Sequence, residues 1–139
     1  MTRPAERHPD LRVPGRVVSF DPSHRQLILR SDATLIDGTD TRVEVFFGHV
    51  DLMFLKPIYQ KGLRVRRASE TEFATLRERH DLAADDASST WMIDPDGGSF
   101  VLSGDPAWRE GACRFEDPSL FDFSRPWPPD FPVDSGTLG

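Results

Sequence analysis

The sequence predicts an α+β protein, built mainly on an antiparallel β-sheet that curves into a sandwich or half-barrel, with one helix at about residues 70–80. Most apolar side chains recur at every second position in short runs, which is the period of a strand, and Gly, Pro and Asp separate these runs. Only one stretch has both the length and the terminal residues of a helix.

The first half of the chain carries the clearest alternation. GRVVSF and RQLILR predict two strands joined by a turn at DPSH, where Asp and Pro suit the first two turn positions. RVEVFFGHV is the strongest strand signal, with Val43, Val45 and Phe47 on one face. Phe46 lies on the other face, so we expect that face to be partly covered as well.

The segment after this strand is harder to interpret. DLMFLKPIYQKG is apolar without a clear period, and Pro57 limits its length, so we interpret it as an edge strand or an irregular crossover. LRVRRA alternates again and predicts a strand with Leu63 and Val65 facing the core.

Residues 70–80 form the one segment that predicts a helix. Ser69 is a favourable N-cap and Glu72 stands three residues later, which is the capping-box pattern. Acidic residues occupy the first turn and basic residues the last turn, where each interacts favourably with the helix dipole. Phe73 and Leu76 fall on one stripe, so we expect a narrow buried face.

WMIDPDGGSF, residues 91–100, has two interpretations, a hairpin turn or a calcium loop. Asp94 and Asp96 have the spacing of the first two ligands of a calcium site. Such a loop also needs a glutamate at position twelve, where this chain has Asp105, and it lies between helices. Because the flanking segments alternate like strands and two glycines stand between them, a hairpin is favoured and no metal site is predicted.

The last third of the chain predicts less regular structure. DPAWREG is interpreted as one helical turn with Asp105 as its N-cap, and ACRFED as a last strand. Five prolines stand among aromatic residues at 117–133, which excludes a regular helix and predicts an extended strap across the domain or into a partner. The predicted organisation is a flexible arm at 1–12, a single domain at 13–133 that includes the strap, and a frayed tail at 134–139.

Composition limits the classes of protein that this chain can represent. With 139 residues, 37% of them hydrophobic and 29% charged, it fits one ordinary globular domain. A single cysteine excludes an internal disulfide, and the N-terminus lacks the apolar core of a signal peptide, so we expect a cytoplasmic protein. No apolar run approaches the roughly 20 residues that cross a membrane.

The net charge of −6 is distributed unevenly. Residues 1–80 hold 14 Arg or Lys and 11 Asp or Glu, whereas residues 81–139 hold 3 Arg and 12 Asp or Glu. An acidic half disfavours nucleic acid and anionic membranes as partners and favours a basic protein. The alternative is that the two halves fold together and neutralise each other's charges.

The sequence contains no phosphate loop, dinucleotide fingerprint, zincin helix or nucleophile elbow, so no cofactor is predicted. If the protein is an enzyme, the catalytic candidates are residues that a sheet could bring to one pocket: His49, Asp51, Tyr59 and Arg66, with Trp91 beside them. His49 and Asp51 stand at period two in GHVD and could act as acid and base. Cys113 is interpreted as a structural thiol rather than a nucleophile.

VEVFFGHV, the apolar stretch after it and LRVRRA resemble a pattern in small bacterial β-rich proteins of uncharacterised families, some of them immunity proteins of toxin–antitoxin competition systems. The resemblance covers about 25 residues and consists of apolar spacing. It implies a neutralising or scaffolding role and carries over no binding residues. The use of 15 Arg against 2 Lys is similar to that of proteins from high-GC bacteria.

Two functions are compatible with these observations. The first is a non-enzymatic protein that binds a basic protein partner, such as a toxin nuclease, through an acidic surface with aromatic residues. Its binding residues would be Asp94, Asp96, Asp105, Trp108, Asp117 and Trp127. The second is a small β-barrel enzyme of bacterial secondary metabolism that encloses a small-molecule ligand.

Overall fold

The described residues form two antiparallel sheets and one α-helix, which confirms the predicted α+β class with mainly antiparallel strands. The computed structural model describes residues 15–31, 41–114 and 116–138. Within these ranges, no helix is long and apolar enough to cross a membrane. The arm predicted at 1–12 lies outside the described residues.

The larger sheet has six strands. They are β1 (Gly15–Asp21), β2 (Gln26–Ser31), β3 (Thr41–Phe47), β5 (Ile58–Tyr59), β9 (Ala107–Ala112) and β10 (Val133–Thr137). Their order in the sheet is β10-β9-β3-β2-β1-β5, and each neighbouring pair is antiparallel. The turn predicted at DPSH joins β1 to β2, and β3 alternates as predicted, with Val43, Val45 and Phe47 buried.

The smaller sheet has four strands. They are β4 (Leu52–Phe54), β6 (Arg66–Arg67), β7 (Thr90–Met92) and β8 (Phe100–Leu102), in the order β4-β8-β7-β6. The irregular segment DLMFLKPIYQKG therefore supplies an edge strand to each sheet, β4 to the smaller and β5 to the larger. LRVRRA forms only the short strand β6, although Leu63 and Val65 are buried as expected.

The main core lies between the two sheets, as in a β-sandwich. The larger sheet contributes Leu27, Leu29, Val43, Val45, Phe47 and Trp108, and the smaller sheet with its flanks contributes Trp91, Ile93 and Val101. Successive side chains of a strand point to opposite faces, so the neighbours of these residues point away from this core. Each sheet thus has a second face that needs a cover of its own.

Helix α1 (Glu70–His80) covers the second face of the smaller sheet. Ser69 accepts a hydrogen bond from the backbone N–H of Glu72, whose side chain accepts one from the N–H of Ser69, so the predicted capping box is confirmed. The apolar residues of this second cluster come from the helix, the residue pair after it and the sheet: Phe73, Leu76, Leu82, Met92, Phe100 and Leu102. A 3-10 helix (Ala84–Ser89) follows α1 and leads into β7.

The stretch that links β7 to β8 is a hairpin turn, as predicted. The backbone N–H of Gly97 donates to the carbonyl of Asp94 at 2.9 Å, and the side chain of Asp94 accepts from the N–H of Asp96 at 2.9 Å. Gly97 and Gly98 have φ values of 81° and 102°, a left-handed conformation that glycine adopts without steric cost. The described residues contain no group of three or more His, Cys, Asp or Glu that could hold a metal ion.

Three predictions for the C-terminal third were wrong. ACRFED is not a strand of its own, because β9 ends at Ala112 and the described residues after it, up to Asp117, lie outside the strands. DPAWREG is not a helical turn, because its Ala107–Ala112 part forms β9, which pairs with β3 and places Trp108 opposite Val45 in the core. The predicted frayed tail at 134–139 instead forms most of β10, which pairs with β9 along its length. The N–H of Leu138 also donates to the carbonyl of Pro106. Backbone pairing therefore orders the tail despite its polar composition.

Candidate functional site

The outer face of the larger sheet is covered by the segment between β9 and β10. We name residues 117–132 of this segment the strap. It is rich in proline and has a cis peptide bond between Trp127 and Pro128. Both ends of the strap continue into neighbouring strands of one sheet, so the strap lies across that sheet and presents its other side to solvent.

Buried charges hold the strap to the sheet. Glu44 of β3 is fully buried, and its carboxylate accepts a hydrogen bond from Arg30 Nε at 2.7 Å and another from the N–H of Leu120 at 2.9 Å. The hydroxyl of Ser119 donates to the same carboxylate. Because β3 alternates, Glu44 and Phe46 point to the strap while their neighbours point to the core. Phe46 stacks on Phe121 at a centroid distance of 5.3 Å, so the predicted cover over this face is confirmed.

Arg42, also in β3, binds the start of the segment. Its guanidinium donates to the carbonyl oxygens of Arg114, Asp117 and Pro118 at 2.8 to 3.1 Å. Arg42 is 1% exposed, and a buried guanidinium needs several acceptors because it has five N–H donors. The strap is therefore fixed through its main chain, which leaves its aromatic side chains available on the outside.

Arg109 of β9 lies beneath the aromatic part of the strap. Its guanidinium carbon is 4.4 Å from the centre of the Phe121 ring and 3.7 Å from the centre of the Trp127 ring. Its Nη1 donates to the carbonyl of Leu120 at 2.7 Å. Burial lowers the pKa of Arg109, against the opposing field of Glu44. The cation is thus stabilised by ring faces and one carbonyl, with no carboxylate of the described residues hydrogen-bonded to it.

A groove of about 740 Å³ opens between Arg109, Cys113 and the strap. Phe123, Trp127 and Phe131 line this groove, with 63%, 48% and 40% of their surfaces exposed. They are three of the five large hydrophobic side chains that are exposed in the described part of the chain. Such side chains rarely cluster on a free surface unless the surface binds something.

Acidic side chains line the groove as well. The strap has three aspartates and one arginine, and Asp117, Asp122 and Asp130 all line the groove. Asp122 accepts hydrogen bonds from Ser124 and Arg125, and those from Ser124 chiefly lower its pKa. Asp117 accepts from the N–H of Arg114. Asp130 is exposed and forms no hydrogen bond or ion pair with the residues that the structure describes.

Three of the predicted acidic binding residues are neutralised within the fold. Asp94 pairs with Lys56 at 3.0 Å, Asp96 with Lys61 at 3.0 Å and Asp105 with Arg67 at 3.4 Å. Burial would raise the pKa of Asp94, but the N–H of Asp96 and the Lys56 ammonium lower it, and Asp94 in turn raises the pKa of Lys56. Cations of the first half thus balance acids of the second half, and these aspartates do not form an open acidic surface.

Trp108 is also misplaced as a binding residue. It is 1% exposed and belongs to the core between the sheets, because DPAWREG forms a strand that turns it inward. Asp117 and Trp127 are the two predicted binding residues that line the groove. The acidic and aromatic surface therefore exists on the strap, and the hairpin and the β9 tryptophan are not part of it.

The four catalytic candidates are not assembled into a pocket. β3 ends at Phe47, and His49 beyond it has a φ of 53°, so His49 and Asp51 do not continue the strand period. Asp51 forms an ion pair with Arg25 on the surface. Each of these side chains is exposed, and neither lines the groove.

The remaining two candidates have structural partners. Tyr59 is buried, and its hydroxyl accepts a hydrogen bond from the N–H of Lys56. Arg66 binds both carboxylate oxygens of Glu72 at 2.6 and 2.7 Å. Tyr59 lies at the edge of the larger sheet and Arg66 at the edge of the smaller sheet. Trp91, their proposed neighbour, is a core residue whose indole N–H has no hydrogen-bond partner among the described residues.

Sequence reasoning included the Phe-rich tail in the binding surface without singling out Phe121, Phe123 or Phe131, and it missed Arg109. The helical interpretation of DPAWREG concealed Arg109, which as a strand residue would have been placed on the face opposite Trp108. Cys113 lines the groove, and burial raises the pKa of its thiol, which is the opposite of what an activated nucleophile needs.

Comparisons with models of protein families, with curated proteins and with solved structures find no match to this chain. The functional conclusion is therefore drawn from the geometry of the groove and the chemistry of its lining. That lining combines exposed aromatic rings, two guanidinium groups and aspartates, and aromatic side chains and arginine are enriched at protein interfaces.

Proposed function

We propose that this protein is a non-enzymatic binding protein that engages a basic protein partner through the groove along its strap. The observation that carries the proposal is the grouping of exposed Phe123, Trp127 and Phe131 around one groove on an acidic segment. Large aromatic side chains contribute most of the binding energy in many interfaces, where they enter pockets that exclude water.

The way in which the strap is fixed to the larger sheet favours the binding of a partner. Its main chain is fixed by Arg42 and by the buried carboxylate of Glu44. Trp127 rests on Arg109, so the ring is held before a partner arrives. A preorganised side chain loses less conformational entropy on binding, and this increases affinity without additional contacts.

The acidic residues of the strap favour a basic partner. Three aspartates accompany one arginine in the strap, and Asp130 is free of partners among the described residues. Complementary charge accelerates the encounter of two proteins and discriminates against acidic competitors. The proposal differs from the sequence-based hypothesis in its location, because the aspartates of the hairpin region pair internally.

The proposed biological setting is the bacterial cytoplasm, with an immunity-type role. A toxin nuclease has a basic surface for its nucleic-acid substrate, and an acidic strap with aromatic anchors could occupy that surface. The resemblance to immunity proteins and the single cysteine support this setting. Such an inhibitor needs no catalytic residues, which agrees with the separate structural roles of Tyr59 and Arg66.

Small-molecule binding in the same groove is the second candidate function. The observation in its favour is the volume of about 740 Å³, which is in the range of ligand pockets. Aromatic walls and the N–H donors of Arg109 would suit a planar ligand with hydrogen-bond acceptors. The two candidates are distinguished by whether the molecule that binds the groove is a protein or a small molecule.

The test is affinity capture from the native host with three immobilised proteins: wild type, Trp127→Ala and Phe54→Ala. Phe54 is a matched control because it is 59% exposed and does not line the groove. We expect wild type and Phe54→Ala to retain a basic protein at low salt, and Trp127→Ala to retain much less. High salt should weaken the complex, because dissolved ions screen the attraction between the surface charges of the two proteins.

The captured protein is then purified and titrated against the same three variants. A loss of at least about 2 kcal/mol of binding free energy in Trp127→Ala alone is expected for a central aromatic anchor. A partner that is acidic, or one that binds Trp127→Ala and wild type equally, contradicts the proposal. A metabolite that raises the melting temperature of wild type but not of Trp127→Ala would establish the second candidate instead.

A further inference from the structure

The lining of the groove carries charges of both signs. Arg109 contacts the rings of Phe121 and Trp127, and we name its guanidinium with these rings the centre of the groove. The strap contributes Asp117, Asp130 and the ion pair of Asp122 with Arg125 to the lining. A partner that fills the groove must therefore match the cation of Arg109 as well as the carboxylates of the strap.

The centre disfavours a second cation. Two like charges close together near a protein surface repel, because the effective dielectric constant there is well below that of water. Arg109 already occupies the ring faces where a lysine or arginine of a partner would otherwise form cation–π contacts. Burial lowers the pKa of Arg109, so a second positive charge beside it would add repulsion to a cation that has already lost part of its hydration. A purely basic segment therefore matches the aspartates of the strap but not the centre.

The centre suits a neutral apolar side chain. Phe123, Trp127 and Phe131 are exposed around it and would be removed from water by such a residue. Burial of apolar surface is favourable in proportion to its area, and aromatic pairs contribute more than their area alone. The rings would thus bind an apolar anchor without any additional charge in the centre.

Arg109 can also bind the main chain of such a partner. A guanidinium has five N–H donors, and among the described residues it forms one hydrogen bond, from Nη1 to the carbonyl of Leu120. An extended peptide presents carbonyl oxygens at regular intervals, and these are neutral acceptors for the donors that remain. In an extended segment, the side chains two residues before and two residues after an anchor point to the same side as the anchor, so both can reach the lining of the groove.

We infer that the groove recognises an extended segment of the basic partner in which one apolar or aromatic side chain is flanked by Lys or Arg on both sides. The apolar side chain enters between Phe123, Trp127 and Phe131, and the flanking cations pair with Asp130 and Asp117. This inference rests on the proposed function, because it specifies the element by which the basic partner is bound.

The probe is a set of seven-residue peptides with blocked ends. The first has a central Phe with two basic residues on each side, the second has Ala in place of Phe, and the third has Glu in place of the basic residues. Binding is measured by the emission of Trp127. The chain has three tryptophans, and Trp91 and Trp108 are each 1% exposed, so Trp127 is the one that contacts solvent.

We expect the first peptide to bind at least about 10-fold more tightly than the second, which corresponds to burial of one aromatic anchor. Asp130→Asn should weaken the first peptide about 3-fold and reduce its salt dependence. Asp85→Asn is the matched control, because Asp85 is exposed in the 3-10 helix and does not line the groove. It should leave binding unchanged.

Three results would overturn the inference. Equal binding of the Phe and Ala peptides would show that cations, not an anchor, fill the groove. Tighter binding of the acidic peptide would show that Arg109 selects an anion. Failure of all three peptides at concentrations up to about 1 mM, while the captured basic protein still requires Trp127, would exclude an extended segment and leave the proposed function intact. Loss of the Trp127 dependence for the captured protein would instead contradict the proposed function.

Discussion

The guanidinium carbon of Arg109 lies 3.7 Å from the centre of the Trp127 ring, so a β-strand residue supports the most exposed tryptophan of the chain. Phe121 lies on the same guanidinium at 4.4 Å. The contact joins the sheet to the outer surface of the strap, whereas the hydrogen bonds of Glu44 and Arg42 join the sheet to its main chain. The orientation of Trp127 therefore depends on Arg109.

Replacement of this support should loosen the aromatic surface. We expect Arg109→Ala to cost about 2 kcal/mol of folding stability, from one hydrogen bond and the ring contacts. Acrylamide should quench the emission of Trp127 more strongly, because the indole loses the group beneath it. Arg79→Ala is the control, since Arg79 is exposed on α1 and contacts no ring of the strap. Unchanged quenching in Arg109→Ala would show that the strap alone orients Trp127.

Glu44 should be the residue on which attachment of the strap most depends. Glu44→Gln leaves Arg30, and the nearby Arg42 at 3.9 Å, without a buried negative charge. Removal of one partner of a buried ion pair costs about 3–5 kcal/mol, and we expect a loss in this range by urea denaturation. Chymotrypsin should also cut after Phe123 sooner, because the strap detaches more often.

The control for this change is Glu116→Gln, which removes the same charge from an exposed position just before the strap. It should alter stability by less than about 0.5 kcal/mol. If Glu44→Gln were as stable as Glu116→Gln and equally resistant to chymotrypsin, the buried carboxylate would have no role in holding the strap.

The strands and the helix could be predicted because their signals are local. The alternation of Val43, Val45 and Phe47 follows from the geometry of a strand, and the capping box at Ser69 and Glu72 satisfies backbone groups three residues apart. Each pattern is complete within a few residues, so no knowledge of the rest of the fold is needed.

The site could not be predicted in the same way, because it depends on pairing between distant residues. The charge imbalance between the halves is visible in the sequence, but it does not show that Asp94 meets Lys56 or that Asp105 meets Arg67. Likewise, the proline-rich composition indicates an extended strap, but only the register of β3 with β9 places Arg109 next to Glu44 and under Trp127.

The stability of α1 should depend on pH through Glu72. Hydrogen bonds from Arg66, chiefly, lower the pKa of Glu72 from 4.5 to about 2. A lowered carboxylate pKa stabilises the folded state above the unfolded value, and the stabilisation is lost as the pH falls from about 5 towards 2. Since both side chains are partly exposed, we expect Glu72→Gln to cost about 1 kcal/mol at pH 7 and almost nothing at pH 2.

Urea denaturation of wild type and Glu72→Gln at several pH values measures this difference directly. Glu78→Gln provides the comparison, because Glu78 is exposed on the same helix and has no hydrogen bond or ion pair to a described residue. The difference between wild type and Glu78→Gln should stay small throughout. If Glu72→Gln is as much less stable than wild type at pH 2 as at pH 7, the charge of Glu72 is not the cause of the difference in stability.

Alanine at Gly15 and alanine at Gly97 should each destabilise the protein, for different physical reasons and to different degrees. A Cβ on Gly15 would lie 2.6 to 3.1 Å from three carbons of Leu63, whereas a Cβ on Gly97 meets nothing within 4 Å but must adopt a φ of 81°. We expect Gly97→Ala to cost about 1 kcal/mol from its backbone alone. Gly15→Ala should cost about 1–3 kcal/mol, because it overpacks the edge of the core.

The two causes are separated by a second substitution at each site. Gly97→Asn should be less destabilising than Gly97→Ala, since Asn adopts left-handed backbone more readily, whereas Gly15→Asn should be at least as destabilising as Gly15→Ala. Leu63→Ala removes the atoms that a Cβ on Gly15 would meet. The loss of folding stability in the double variant should therefore be smaller than the sum of the losses in the two single variants, by about 1 kcal/mol or more. Strict additivity of Gly15→Ala and Leu63→Ala would show that the contact between β1 and Leu63 is not what requires glycine there.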